Sequence, residues 1–167
     1  FYEKEDRGVD YFVKDPEKYR GKNIVIAGGG DSALDWSIFL SNVANSVTLV
    51  HRRNEFRGAL DSVEKVQELK DQGKIKMMTP AEVTGIKGDG KVSAITIEKD
   101  GETFDLETDY FIPLFGLTPK LGDLANWGLN IEKNAIVVNN ALVYHTNIPG
   151  VYAIGDINTY PGKLKLI

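Results

Sequence analysis

The sequence contains no cysteine and only two histidines, His51 and His145. Without cysteine this chain forms no disulfide, carries no reactive thiolate and holds no cysteine-ligated zinc or iron–sulfur cluster. Two histidines are too few for a histidine-rich metal site, and the acidic residues show no paired arrangement for acid–base catalysis. We therefore expect no metal site and no catalytic side chain in this chain.

The chain also lacks an excess of positive charge and a long apolar run. Its 20 lysines and arginines face 24 aspartates and glutamates, which gives a formal net charge of −4. Nucleic acids and anionic membranes are held mainly by surplus lysine and arginine, so we expect neither as a partner. The apolar runs are shorter than the roughly 18 residues of a transmembrane helix, and no signal-peptide pattern is present. We expect a cytoplasmic protein and, because the first residue is not methionine, a segment of a longer chain.

Hydrophobic periodicity predicts a βαβ unit followed by an antiparallel meander. Apolar, β-branched runs indicate buried parallel strands at 23–27 and 46–50, with a helix at 32–43 between them. Glycine and aspartate turns at 88–90 and 100–101 separate three short strands, as in β-hairpins. The predicted elements are helices at 32–43 and from 56 to near 73, and strands at 9–13, 23–27, 46–50, 74–78, 83–86, 92–98, 103–106, 110–115, 135–138 and 151–154. This order predicts an α/β fold in which helices and a three-stranded meander flank a parallel sheet.

Residues 28–33 read Gly-Gly-Gly-Asp-Ser-Ala and match the G-x-G-x-x-[GA] pattern between a strand and a helix. In such a loop Gly28 permits the tight turn, and Gly30 lets the backbone approach a pyrophosphate. Ala33 is small enough for close packing of the helix on the strand. The helix N-terminus offers unpaired N–H groups to the phosphates, and Gly29 belongs to the same cradle. A plain glycine turn is the alternative, but the two flanking strands favour dinucleotide binding.

Other residues near this loop have candidate roles. The Ser32 hydroxyl can donate a hydrogen bond to a phosphate oxygen. Because the Asp31 carboxylate would repel a pyrophosphate, its favoured role is to cap the helix start. Trp36 is expected in the core. Gly116 follows a parallel strand at the edge where such sheets place ligands, so it is a candidate cofactor contact.

The residues after the second strand distinguish NADPH from NADH. An NAD-specific unit places Asp or Glu at this strand end, where it binds the ribose 2′-hydroxyl. Here His51, Arg52 and Arg53 follow the strand, and Arg57 comes four residues after Arg53. Forked guanidinium donors suit a 2′-phosphate, so the three arginines predict a preference for NADPH, with His51 against the adenine ring. A solvated charge cluster is the alternative interpretation.

Taken together, these motifs resemble the NADPH domain of thioredoxin reductase-like flavoproteins, within the pyridine nucleotide-disulfide oxidoreductase superfamily. The resemblance rests on the runs 28–36, 47–53, 56–57, 115–119 and 149–157. It implies a Rossmann-like FAD/NAD(P)-binding fold. In the last run the family's aspartate binds the ribityl chain of FAD, and Asp156 is the matching residue.

The missing cysteines separate this chain from the thioredoxin reductases, which carry a redox Cys-x-x-Cys in this domain. The loop resembles more closely the thioredoxin reductase-like branch of ferredoxin (or flavodoxin)–NADP reductases, which pass electrons through FAD without a dithiol. The resemblance therefore implies hydride transfer between NADPH and FAD, with ferredoxin or flavodoxin as the partner of a full-length homodimer. The alternatives are a cysteine-free flavoprotein with another acceptor and a non-catalytic NADPH-binding module.

The family's FAD domain is split, with one half before the NADPH domain and one half after it. The first half, which has its own glycine loop, is not part of this sequence. We expect an NADPH-binding domain at 8–118 and a remnant of the FAD domain at 119–167. Asp156 is expected to hold no flavin in this chain, and the chain alone is expected to be inactive.

Overall fold

The computed structural model describes residue 2, residues 7–116 and residues 120–163. The chain divides into two compact units, one that ends at Gly116 and one that follows it. In the described residues, no helix is both long and apolar enough to cross a membrane.

In its described residues, the first unit contains seven strands and two α-helices, preceded by a 3-10 helix at Pro16–Tyr19. In chain order these elements are β1 (Asn23–Gly28), α1 (Asp31–Leu40), β2 (Ser46–Val50), α2 (Leu60–Asp71), β3 (Ile75–Met78), β4 (Glu82–Lys87), β5 (Ala94–Lys99), β6 (Glu102–Glu107) and β7 (Tyr110–Leu114). The predicted strand, helix, strand order of the βαβ unit is confirmed.

Four strands form a parallel sheet in the order β3-β2-β1-β7. β1 lies in the interior of this sheet, and its Ile26 is in register with Leu49 of β2 and Ile112 of β7. Since all four strands run the same way, the loops after β1, β2 and β7 leave from one edge. In doubly wound α/β sheets this carboxyl edge is where ligands bind.

Each face of the parallel sheet is covered by a different hydrophobic core. Ile24 and Ile26 of β1 pack with Leu34 of α1 and Val66 of α2. Their neighbours along β1 point to the opposite face and join the core that contains Ile97 of the meander. Burial on both faces explains why β1 is a continuous apolar run without polar alternation. The predicted α/β arrangement, with helices on one face and the meander on the other, is confirmed.

The meander is an antiparallel sheet in the order β4-β5-β6. Asp100 and Gly101 connect β5 to β6 with φ angles of 54° and 81°. Two successive positive φ values define the type I′ turn, whose twist matches that of paired antiparallel strands. The hairpin predicted at this position is confirmed.

The second unit is built from short elements around its own small core. They are 3-10 helices at Gly122–Asn126 and Gly155–Ile157, and strands β8 (Ile131–Glu132), β9 (Ala135–Val137) and β10 (Asn158–Thr159). The strands form one sheet in the order β10-β9-β8. Leu129, Ile136, Val138 and Ala153 form its buried core.

Two predicted strands are wrong, because an apolar run needs a pairing partner to become a strand. At 9–13 only Val9 pairs, through one bridge to Phe111, and Tyr11 and Phe12 are exposed. At 151–154 the described residues of the unit supply one bridge, from His145 to Tyr152.

The predicted helix at 32–43 extends too far at its C-terminal end. It stops at Leu40, where the Ser41 hydroxyl and the Asn42 amide both donate to the carbonyl oxygen of Ile38. Such local side-chain bonds compete with the helical hydrogen bonds and favour termination.

Candidate functional site

The glycine loop leaves β1 and enters α1, as predicted. Gly28 is buried, and a Cβ at this position would lie 2.8 Å from the Cβ of Ala33 and would overlap the carbonyl oxygen of Leu114. Ala33 is itself fully buried. The predicted tight packing of helix on strand is therefore confirmed at Ala33. The need for glycine at 28 comes from this packing, since Gly28 is not among the residues with positive φ.

Gly30 is the N-cap of α1, and its surroundings are open. Its φ of −100° and ψ of −178° are extended values that other residues also adopt. A Cβ built on Gly30 would have no protein atom within 4 Å. Neither backbone conformation nor internal packing explains glycine here. The space in front of an α-helix N-terminus, with its unpaired N–H groups, fits a phosphate that approaches the bare backbone.

Residues 51–59 connect β2 to α2 and carry all three arginines; we call them the basic segment. The N–H of Arg57 donates to the carbonyl oxygen of Gly29 at 2.7 Å. The N–H of Ala59 donates to Oδ1 of Asp31 at 2.6 Å. Between these two bonds, Gly58 packs so closely that a Cβ there would lie 3.1 Å from Oδ1 of Asp31. Two hydrogen bonds therefore fix the end of the basic segment to the glycine loop and to the start of α1.

His51, the first residue of the basic segment, contacts the glycine loop as well. A Cβ on Gly29 would overlap the imidazole ring of His51. The same ring stacks on Phe56, with 5.3 Å between ring centroids and 22° between planes. One of its nitrogens, Nε2, lies 3.2 Å from the carbonyl oxygen of Glu55. The ring thus packs within the site itself, and its predicted contact with adenine stays a prediction.

The charges of the three arginines act on His51. Burial lowers the pKa of His51 below its ordinary value, and the charges of Arg52, Arg53 and Arg57 lower it further, against a raising effect of the hydrogen bond with Glu55. Each arginine is exposed, and no carboxylate in the described part of the chain pairs with any of the three guanidinium groups. The result is a cluster of positive charge on the segment that is hydrogen-bonded to the glycine loop.

Gly116 lies two residues beyond β7, on the same edge of the sheet. Leu114 at the end of β7 is in register with Gly28 at the end of β1, so the two strand ends are neighbours. The φ of Gly116 is +86°, a left-handed value that favours glycine. The location agrees with the prediction, while the cofactor contact itself stays a prediction.

The predicted helix-capping role of Asp31 is wrong. Gly30 holds the N-cap position, and Asp31 is the first residue of the helix. Its carboxylate accepts a hydrogen bond from the N–H of Ala59 instead. Sequence reasoning missed this partner and placed Gly58 inside the helix predicted from residue 56, whereas α2 begins at Leu60. A glycine within a helical pattern is a signal of close packing that could have indicated this contact.

The other predicted residues lie nearby or in the second unit. Ser32 is exposed in the first turn of α1. Trp36 is half-buried rather than fully buried; it packs against the core and meets Phe39 edge-on at 5.8 Å. Asp156 belongs to the second unit, where it is exposed in a 3-10 helix of three residues. One exposed carboxylate does not make a flavin site, so no step is derived through FAD.

Among the described residues, no cluster of three or more His, Asp or Glu side chains could hold a metal ion. The site consists of a bare-backbone cradle at a helix N-terminus and three guanidinium groups that have no carboxylate partner among the described residues. This arrangement suits an anionic ligand, because main-chain N–H and guanidinium groups both donate hydrogen bonds to anions.

Comparison with known proteins places the chain in a family. Residues 4–166 match the model of the pyridine nucleotide-disulphide oxidoreductases. The chain is similar to a protein of Flavobacterium johnsoniae named ferredoxin–NADP reductase, with 72% identity over 100% of this chain and 47% of that protein. It is also similar to ferredoxin–NADP reductase 1 of Christiangramia forsetii, with 63% identity over 99% of this chain and 48% of that protein.

The structural comparison agrees with the sequence comparison. Thioredoxin reductase from Lactococcus lactis is similar with a TM-score of 0.78 and 30% identity, over 92% of this chain and 50% of that chain. The chain spans about half the length of the curated relatives that it matches. Through its match over nearly all its residues, the chain belongs to the pyridine nucleotide-disulphide oxidoreductase family.

Proposed function

We propose that this chain binds NADPH. The pyrophosphate lies over the glycine loop 28–33, and the 2′-phosphate is held by Arg52, Arg53 and Arg57. The observation that carries this proposal is the attachment of the basic segment to the loop, through the bond from Arg57 to Gly29. This bond holds the segment that carries three exposed arginines at the carboxyl edge of the sheet, beside the glycine loop. Among the described residues, none of these arginines has a carboxylate partner.

The end of β2 favours a 2′-phosphate over a free ribose hydroxyl. A carboxylate at this strand end accepts hydrogen bonds from the hydroxyl of NADH and repels the phosphate of NADPH. Here the strand ends at Val50 and is followed by His51 and two arginines. Guanidinium groups donate two parallel hydrogen bonds to phosphate oxygens, which makes them well suited to a dianion.

Titration of the chain with NADP⁺ and NAD⁺ tests this proposal. We expect NADP⁺ to bind much more tightly, and Arg53→Ala or Arg57→Ala to weaken NADP⁺ by about tenfold, the order of a charged hydrogen bond, with little effect on NAD⁺. Arg20→Ala is the matched control, because Arg20 is an exposed arginine that pairs with Glu17 outside the site. Equal affinity of the unmodified chain for both cofactors contradicts the proposal.

For the whole protein we propose an FAD-dependent ferredoxin (flavodoxin)–NADP reductase, located in the cytoplasm and homodimeric at full length. Relatives of that name match the entire chain at up to 72% identity. When bound, FAD would supply the redox chemistry that links the two-electron donor NADPH to the one-electron acceptors ferredoxin and flavodoxin. In this proposal residues 8–118 bind NADPH, and residues 119–167, with Asp156, contribute to the FAD domain. Flavin content and ferredoxin-dependent cytochrome reduction by the full-length protein test it.

A second candidate is a flavoprotein with another acceptor, favoured by the similarity to thioredoxin reductases of known structure. Dithiol exchange is excluded within this chain, since it has no cysteine. NADPH oxidation by the full-length protein without ferredoxin-dependent reduction supports this candidate. Absence of flavin from the full-length protein supports a non-catalytic NADPH-binding module instead.

The chain alone is proposed to bind NADPH without oxidising it. Its sequence contains a single glycine loop of the dinucleotide type, and that loop is hydrogen-bonded to the basic segment. We therefore propose that the loop serves NADPH and not FAD. A yellow purified chain that reduces an artificial acceptor with NADPH contradicts this part of the proposal.

A further inference from the structure

The carboxylate of Asp31 lies where it would repel a bound pyrophosphate, and its hydrogen bond with Ala59 offers a reason for its presence there. Asp31 is the first residue of α1, directly after Gly30, so it brings a carboxylate to the place where a pyrophosphate is proposed. A negative charge there weakens the binding of any phosphate. The carboxylate is half-buried and is engaged by the N–H of Ala59, a residue 28 positions further along the chain.

The partner of Asp31 shows what the carboxylate holds. Ala59 ends the basic segment, and Arg57 lies two residues before it. The Arg57 N–H is itself bonded to Gly29, and Gly58 lies against Asp31 and Leu34. The path of the chain is therefore fixed immediately before and after Gly58. Loss of the Asp31 bond would release one of these two attachments and leave the Arg57 end of the segment held to the loop only by its own bond to Gly29.

We propose that Asp31 is a positioning residue for cofactor selection, which holds the basic segment so that its arginines meet the 2′-phosphate. This inference rests on the proposed binding of NADPH. Asp31 does not touch the 2′-phosphate in this scheme; it acts through Ala59 and the adjacent arginine. Loss of Asp31 should therefore lower the ratio of NADP⁺ affinity to NAD⁺ affinity, because in this scheme NAD⁺ contacts the glycine loop but not the arginines.

Two substitutions separate the hydrogen bond from the charge. Asp31→Ala removes both, whereas Asp31→Asn keeps an oxygen acceptor for the Ala59 N–H and removes only the charge. We expect Asp31→Ala to weaken NADP⁺ by about tenfold, the order of a hydrogen bond to a charged group, with NAD⁺ changed by less than about threefold. Asp31→Asn is expected to retain the wild-type ratio.

Ser62→Ala provides the matched control. The Ser62 hydroxyl donates to Asp35 at 2.9 Å, which is another hydrogen bond from α1 to the region of α2 but one that does not hold the basic segment. We expect Ser62→Ala to leave the affinity ratio unchanged. A fall in the ratio as large as that of Asp31→Ala would show that any loosening between the two helices suffices, and would overturn the proposal.

The remaining outcomes are equally decisive. Equal losses for both cofactors in Asp31→Ala, or an Asp31→Asn variant that behaves like the alanine variant, overturn the role of Asp31. Hydrogen exchange at the Ala59 amide of the wild-type chain gives a test that needs no variant to fold: slow exchange is expected, and exchange at the rate of a free amide overturns the proposal. Equal affinity of the wild-type chain for NADP⁺ and NAD⁺ overturns the proposed NADPH function instead.

Discussion

Gly28 and Gly30 lie two residues apart in the loop after β1, and a methyl group added to each would meet different surroundings. At Gly28 it would collide with Ala33 and with the carbonyl oxygen of Leu114. At Gly30 it would enter open space. The first glycine is thus required by packing within the chain, whereas we propose that the second is required by a bound phosphate.

Alanine substitutions at these two positions should therefore have opposite consequences. Gly28→Ala is expected to reduce the free energy of unfolding by about 1–3 kcal/mol, the usual cost of overpacking. Gly30→Ala is expected to change it by less than about 1 kcal/mol, because the φ value suits alanine, yet to weaken NADP⁺ binding at least about tenfold. Thermal unfolding and cofactor titration of both variants measure this. A stable Gly30→Ala variant with wild-type affinity would refute the assignment of the cradle.

His51 gives the site a pH dependence with a defined sign. Its pKa in the folded chain lies below the ordinary value of 6.5. The unfolded chain therefore binds a proton more readily, so the stability contributed by His51 is complete above pH 6.5 and falls as the pH drops towards the folded pKa. NMR titration of the His51 ring is expected to show the lowered pKa, and His51→Gln is expected to lose this part of the acid sensitivity.

Binding of NADP⁺ should reverse part of this shift. The 2′-phosphate offsets the charges of Arg52, Arg53 and Arg57, which lower the pKa of His51 in the free protein. We expect the pKa of His51 to rise on addition of NADP⁺ and to change little on addition of NAD⁺. Equal shifts with both cofactors would place the 2′-phosphate away from the arginines.

At the scale of single elements, β5 shows how the meander covers the sheet. Ile95 and Ile97 are fully buried against the face of the parallel sheet, whereas Glu98 on the same strand is exposed. Ile97→Ala is expected to reduce the free energy of unfolding by about 2–5 kcal/mol through the cavity it leaves. Glu98→Ala, the control on the same strand, is expected to stay within about 0.5 kcal/mol. Denaturant unfolding of the two variants tests whether the meander packs on the face of the parallel sheet through this side of β5.

The best predicted elements are those whose local sequence pattern is enough to define them. The predicted bounds of the strand at 46–50 agree with the structure, and β1 extends only one residue beyond its predicted end. A short, continuous run of β-branched apolar residues favours a buried strand over other structures. The runs at 9–13 and 151–154 have similar composition but lack a pairing strand in the described chain. Pairing depends on distant residues, which a local pattern does not contain.

The candidate site divides in the same way. The glycine loop and the arginines were visible in the sequence, since their residue types and spacing follow from phosphate chemistry. The bond from Ala59 to Asp31 joins residues 28 positions apart and has no local signature. The position of the His51 ring beside Gly29 likewise depends on how β1 and β2 pair, so it emerged only from the structure.

At the scale of the whole molecule, all predicted nucleotide contacts except Asp156 lie in the first unit. That unit ends at Gly116 and contains both cores that flank the parallel sheet. We expect a chain of residues 1–116 to fold and to bind NADP⁺ with an affinity within about threefold of the 167-residue chain. Circular dichroism and cofactor titration test this expectation. Loss of binding in a folded 1–116 chain would show that the second unit contributes to the site.

Both bonds that hold the end of the basic segment to the glycine loop and to α1 are donated by main-chain N–H groups, those of Arg57 and Ala59. Within the described part of the chain, no ion pair of the three guanidinium groups contributes to this attachment. Residues 52, 53 and 57 can therefore be substituted without loss of the two main-chain hydrogen bonds that hold the end of the segment. Under the proposed NADPH function, a lineage could therefore change its preference between the phosphorylated and the unphosphorylated dinucleotide by exchanging a few side chains, while the main-chain contacts that hold the segment stay the same.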